Sequence, residues 1–149
     1  MLSFVTKYPF TLIASAVIVV LSLMPTPEVP PQIEVPLMDK WVHMLMYAVL
    51  CMVLWTEYWR CHRRESLKQH LQDNALRIIA LAIIAPLTLG GAMELLQAFA
   101  TTYRSGDWLD FSANSIGVAA GTAVGLSLGR LISGRKIDKT ASSVHTKRY

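Results

Sequence analysis

Charged residues are scarce in this chain. They make up 16% of it against 53% hydrophobic residues, and the mean hydropathy is +0.40. A soluble domain carries about a quarter charged residues, so the balance is that of a chain solvated largely by lipid. Cysteine is almost absent. Cys51 lies in an apolar run and Cys61 in a basic loop, which excludes a disulfide framework and leaves two reduced thiols. The sequence contains no Walker-type phosphate loop, no Ser/His/Asp arrangement, no haem motif, no H-E-x-x-H zinc signature and no evident internal repeat. The net charge of +4 and the pI near 9.3 do not point to nucleic acid. The basic residues flank apolar runs and form no patch interleaved with aromatics, which is how membrane proteins use them.

What is present is four apolar runs: Tyr8 to Met24, Trp41 to Trp55, Ile78 to Ala100 and Leu109 to Ile132. A membrane span needs roughly 20 apolar residues. The second run is short and has to borrow neighbours such as Leu37 and Met38. Lys7 before the first run is reminiscent of a secretory signal. However, Met24-Pro25-Thr26-Pro27 follows Leu23 where a small-x-small cleavage site would stand, so the segment reads as an uncleaved span. All fourteen Lys and Arg residues except Lys40 and Arg104 fall at the N-terminus, between runs two and three, or after run four. Positive charge stays on the cytoplasmic side. The expected fold is therefore an all-α, integral membrane four-helix bundle with both termini cytoplasmic. It forms one domain over residues 1–132, followed by a basic, disordered tail over 133–149.

Five of the seven prolines lie between Pro25 and Met38, a stretch that favours polyproline geometry and serves as a lid or a stiff linker. The mixed-charge connection from Glu57 to Asn74 reads as an extension of the second helix or an interfacial helix. Pro86 predicts a kink near Ile83 to Pro86, and Gly90-Gly91 permits close backbone approach just before Glu94. In the fourth run Gly117, Gly121, Gly125 and Gly129 recur every four residues and form a bare ridge. A neighbouring helix of the same chain fits that ridge better than a second copy forming a homodimer, although both remain open.

The ionisable residues gather where the topology puts the outer face. Asp39, His43 and Tyr47 are spaced by four and share a helix face, as do Glu94 and Gln97, and as do Asp107, Asp110 and Asn114. Lys40 and Arg104 lie among them. Glu94 lies about 24 Å along its helix from Ile78, just inside the outer boundary, where a carboxylate needs a partner. Lys40, Arg104 and His43 are the partners at hand. Ordinary readings compete: Asp39 and Asp107 as helix N-caps, Lys40 and Arg104 as interfacial anchors, Trp41 and Trp108 as aromatic belt, His43 as an interfacial histidine, Asn114 as an interhelical hydrogen-bonder. Glu94 caps nothing and resists such a reading.

Taken together, Asp39-Lys40 with His43 and Tyr47, then Glu94-x-x-Gln97, then Arg104 with Asp107-x-x-Asp110 and Asn114-x-x-Gly117, resemble the VanZ-like membrane proteins. The resemblance covers roughly residues 39–125. It implies a small four-helix protein of the bacterial plasma membrane, in a family whose namesake is linked to resistance to the lipid-tailed glycopeptide teicoplanin. It supplies no biochemical activity and no cofactor. On the residues themselves, the expected ligand is an anionic, lipid-linked cell-envelope molecule. Its phosphate would meet Arg104, Lys40 and His43, and Glu94, His43 and Asp110 would stand as catalytic acid/base candidates for hydrolysis or transfer. Asp39, Lys40, Tyr47, Gln97, Arg104, Asp107 and Asn114 are the binding candidates. A divalent cation on Asp39, His43 and Glu94 is a weaker variant. The alternative is a non-catalytic scaffold whose outer charges form a structural ion-pair network.

Overall fold

The computed structural model describes residues 2–25, 37–62, 72, 74–101 and 107–146, with side chains for those between 4 and 129. Arg104, most of the Pro-rich connection and most of the basic connection between the second and third runs lie outside the described residues. Among the described residues there is no strand, and five helices follow one another. They are α1 (Leu2–Lys7), α2 (Pro9–Leu23), α3 (Met38–Cys61), α4 (Ala75–Ala100) and α5 (Trp108–Thr146). Three segments are long and apolar enough to cross a membrane: Met38–Cys61, Ala75–Ala100 and Trp108–Gly129.

The first apolar run forms a helix of its own, separated from α1 at Tyr8. Tyr8 leaves helical geometry and Pro9 starts α2, as a residue with no N–H to satisfy can do. The 15 residues of α2 extend only about 22 Å, short of the roughly 30 Å hydrocarbon layer. The second run does borrow neighbours, at both ends, so that α3 reaches 24 residues. The helix of α5 continues beyond Gly129 to Thr146, across a tail whose composition gave no reason to expect one. In α4 the strain of Pro86 is taken up by a π-turn over Ala80–Ile84. Proline cannot donate to the carbonyl four residues back, and that carbonyl, of Ala82, instead faces the Cys51 thiol, which donates to it at 3.9 Å.

The most extensive helix pair is α3 against α5. The glycine ridge explains it. A Cβ on Gly117 would stand 2.2 Å from the Met44 carbonyl oxygen, and one on Gly121 2.4 Å from that of Ala48. Further along, Cβ atoms on Gly125 and Gly129 would meet the rings of Trp55 and Trp59 at 2.3 and 2.4 Å. Those two indoles stack with centroids 5.4 Å apart, and Trp59 Nε1 donates to the Gly125 carbonyl at 3.0 Å. The ridge is thus filled by a helix of the same chain.

Polarity runs inward. Phe10, Ile13, Val17 and Val20 of α2 are exposed, while Thr11, Ser22, His43, Glu57, Glu94, Gln97, Asp110 and Asn114 are buried. An apolar surface around a core containing buried ionisable groups is what a lipid solvent selects. Glu57 shows what such a group can do. Its carboxylate accepts from Phe10 N–H and Thr11 N–H, both at 2.9 Å, and from the Thr11 hydroxyl at 2.6 Å. These are donors the first turn of α2 cannot satisfy within the helix, and a negative charge at that end also complements the helix dipole.

Candidate functional site

The starts of α3 and α5 and the last turns of α4 meet at one end of the molecule. Lys40, in the first turn of α3, reaches across to α5, where its ammonium donates to Asp107 Oδ2 at 2.6 Å and to Asp110 Oδ1. Asp39 Oδ2 lies 3.8 Å from the same Nζ. Asp107 has three tasks at once. Its Oδ1 accepts from Leu109 N–H at 2.9 Å and its carbonyl from Asp110 N–H at 3.0 Å, which makes it the N-cap of α5. Its own N–H donates to Glu94 Oε2 at 3.0 Å. The Lys40 ammonium, and after it the Leu109 N–H, hold the Asp107 carboxyl below the usual carboxylate range.

One turn further in, His43 is buried beside Asn114, Nδ1 to Oδ1 at 3.2 Å. With Nδ1–H as the donor, Nε2 faces Asp110 Oδ2 at 3.8 Å and Asp39 Oδ1 at 4.0 Å. The carboxylates facing His43 Nε2 are therefore Asp39 and Asp110. Glu94, expected to pair with His43, instead holds the backbone of Asp107. The same geometry revises the cation triad, because the ligand atoms within 4.8 Å of one another belong to Asp39, His43 and Asp110 rather than to Asp39, His43 and Glu94. Lys40 already sits on Asp110, so a dication there would share its carboxylate with an ammonium. Gln97 parts from the cluster altogether: its Nε2 donates to the Ser22 carbonyl at 2.8 Å and ties α4 to α2.

At this end of the molecule Tyr47 Oη, Asn114 Nδ2 and Glu94 Oε1 are buried with no hydrogen-bond partner among the described residues. The Tyr47 and Asn114 residues are 0% and 1% exposed, and Glu94 is 9% exposed. Gly90 makes room for two of them, since a Cβ there would lie 3.3 Å from Asn114 Nδ2 and 3.5 Å from Tyr47 Cζ. Leaving a buried polar atom without a partner costs about 1–3 kcal/mol, so each such atom calls for a water, a bound group or local strain to account for it.

Beside Glu94 a groove of about 420 Å³ opens between α4 and α5, lined by Gly91, Glu94, Leu95, Ala98, Phe99, Asp107, Trp108 and Phe111. Its walls are apolar, and among the described residues the ionisable groups that line it are the two carboxylates, Glu94 and Asp107. Nothing in the spacing of apolar residues announced this groove; Gly91 is the one signal, a missing side chain one turn before Leu95. Glu57 escaped the sequence reading too, because it follows the second apolar run and looked like the start of a loop. Comparison with protein-family models, with curated proteins and with solved structures finds no match for this chain.

Proposed function

We propose that this chain is a VanZ-like, multi-pass protein of the bacterial plasma membrane that binds or modifies a lipid-linked cell-envelope molecule in the outer leaflet. In this reading α2, α3, α4 and the apolar part of α5 form a four-helix bundle, and α1 helps α2 to cover the membrane thickness. Both termini are cytoplasmic, because the Lys and Arg residues other than Lys40 and Arg104 then stay inside. That orientation turns the Lys40–Asp107–Asp110 end outward.

The carrying observation is that the apolar groove between α4 and α5 contains Glu94, whose Oε1 is buried without a partner, and Asp107, which is bonded to Lys40. An acyl or prenyl chain fits the walls, and a polar head would lie against the ionisable cluster. His43 beside Asp110 is the pair able to move a proton there. Lys40 is not free to hold an anionic head, because both its close partners are carboxylates, and that role rests on the expectation for Arg104, which lies outside the described residues.

The test is native mass spectrometry of gently solubilised protein, wild type beside Glu94→Gln, scoring co-purified envelope lipids. A lipid-linked molecule bound to the wild type and lost from the variant supports the reading. Well-folded wild type that carries none counts against it. The scaffold alternative draws on one specific observation: Lys40 joins α3 to α5 through two carboxylates.

A further inference from the structure

Among the described residues, the Lys40 ammonium is shared by Asp107 and Asp110, with Asp39 at 3.8 Å, while Glu94 lies beside them on the Asp107 N–H and makes no ion pair with it. Asp107 spends one oxygen on Lys40 and the other on the Leu109 N–H. Asp110 has Lys40 on one oxygen and faces His43 with the other. Glu94 differs. Oε2 is taken by the Asp107 N–H, while Oε1 is buried and has no donor among the described residues. The group that completes this carboxylate therefore brings a hydrogen-bond donor, and charge complementarity favours one that is positive.

The walls of the groove restrict the choice further. Phe99 is 86% and Trp108 83% exposed, so the apolar sides lie open in the direction from which a lipid chain would approach. A small free amine would gain nothing from them. We infer that the groove between α4 and α5 seats a lipid with a primary-ammonium head, whose N–H donors complete Glu94 Oε1 and whose chain lies between Phe99 and Trp108. This rests on the outer-leaflet binding reading given above and names the class of molecule. It replaces the expectation of a purely anionic head with an ammonium-bearing one.

The experiment uses the full chain in mixed micelles with phosphatidylethanolamine, phosphatidylcholine or phosphatidylglycerol of identical acyl chains, and native mass spectrometry to count retained lipid. Phosphatidylcholine keeps the positive charge but has no N–H, so it separates hydrogen bonding from charge. One phosphatidylethanolamine per chain is expected, retained at least about tenfold better than phosphatidylcholine, as for one charge-assisted hydrogen bond. Glu94→Gln is expected to remove that preference. Gly91→Leu provides a second variant that leaves the carboxylate intact. A Cβ at Gly91 meets only the Phe111 ring, at 3.6 Å, so the added side chain is accommodated and fills the groove, and retention is expected to fall about tenfold.

Equal retention of the ethanolamine and choline lipids overturns the inference, as does unchanged retention in both variants. Displacement of phosphatidylethanolamine by equimolar free ethanolamine also overturns it, because the walls would then contribute nothing. Preferential retention of phosphatidylglycerol overturns it while leaving the outer-leaflet binding reading in place. Wild type that retains none of the three overturns it, and the binding reading falls as well only if the co-purification of envelope lipids also fails.

Discussion

The Lys40 ammonium and the Asp107 carboxylate are 67 residues apart in sequence and 2.6 Å apart in space, so one ion pair joins the first turn of α3 to the N-cap of α5. The same ammonium holds Asp110, whose side chain is only 6% exposed. Removing one partner of a buried pair leaves the other charge without compensation, which costs on the order of 3 kcal/mol or more. Lys40→Met is therefore expected to lower the thermal midpoint strongly, and Lys40→Met/Asp110→Leu to recover much of the loss. Melting curves of the two single variants and the double variant in detergent decide it. Strictly additive effects would show that the pair does not hold the helices together.

The pair also carries a pH dependence. Lys40, with the Leu109 N–H, holds the Asp107 carboxyl below the usual carboxylate range in the folded chain. A depressed folded value means a contribution that is complete above the unfolded value, about 3.9, and is lost as pH falls through the folded one. Stability is expected to hold from neutral pH to about pH 4 and to drop below it, with Asp107→Asn flattening that acid limb. Midpoints measured from pH 6 down to 3 test this; an unchanged acid limb in the variant would remove Asp107 from the account.

At the opposite end of α3, Glu57 caps α2 through three donors. Glu57→Ala strands them in a buried setting at about 1–3 kcal/mol for each unsatisfied group. The variant is expected to be among the least stable single substitutions in α3, and Thr11→Val, which removes only the hydroxyl donor, to cost roughly 1 kcal/mol. Thermal denaturation of both reads the ratio. Equal, small shifts would mean that water takes over the cap without loss.

Much of this arrangement was legible in the sequence because helical spacing is. Positions 39, 43 and 47 share a face of α3, and Asp110 and Asn114 share the facing side of α5, as their spacing indicates. What spacing does not contain is how two faces dock. Lys40 pairs with Asp107 and Asp110, rather than with Glu94, only because the glycine ridge lets α5 ride close on α3 and so fixes their registers. Gln97 is three residues from Glu94, yet it turns to the Ser22 carbonyl, because the i, i+3 relation leaves about a sixth of a turn between side chains and α2 occupies that gap. Glu57 was hidden for a different reason. A carboxylate after an apolar run reads as the water boundary, and only the continuation of α3 to Cys61 buries it.

That docking register can itself be tested, because two glycines of similar sequence context differ in what surrounds them. At Gly121 an added Cβ would stand 2.4 Å from the Ala48 carbonyl oxygen and 2.8 Å from Cys51 Cβ, the first of these being backbone that cannot swing aside. At Gly91 it would meet only the Phe111 ring, at an ordinary 3.6 Å. Overpacking a close helix contact costs typically 1–3 kcal/mol and more where backbone must move, whereas Gly to Ala in an unobstructed helix gains about 0.5–1 kcal/mol from propensity. Gly121→Ala is therefore expected to destabilise the protein, and Gly91→Ala to leave it unchanged or slightly more stable. The comparison is internally controlled, since helix propensity favours alanine equally at both positions and only the neighbouring helix distinguishes them. Thermal midpoints of the two variants that moved together, in either direction, would mean that α5 does not pack on α3 through the ridge. The Lys40 pairing, which depends on that register, would then have to be drawn again.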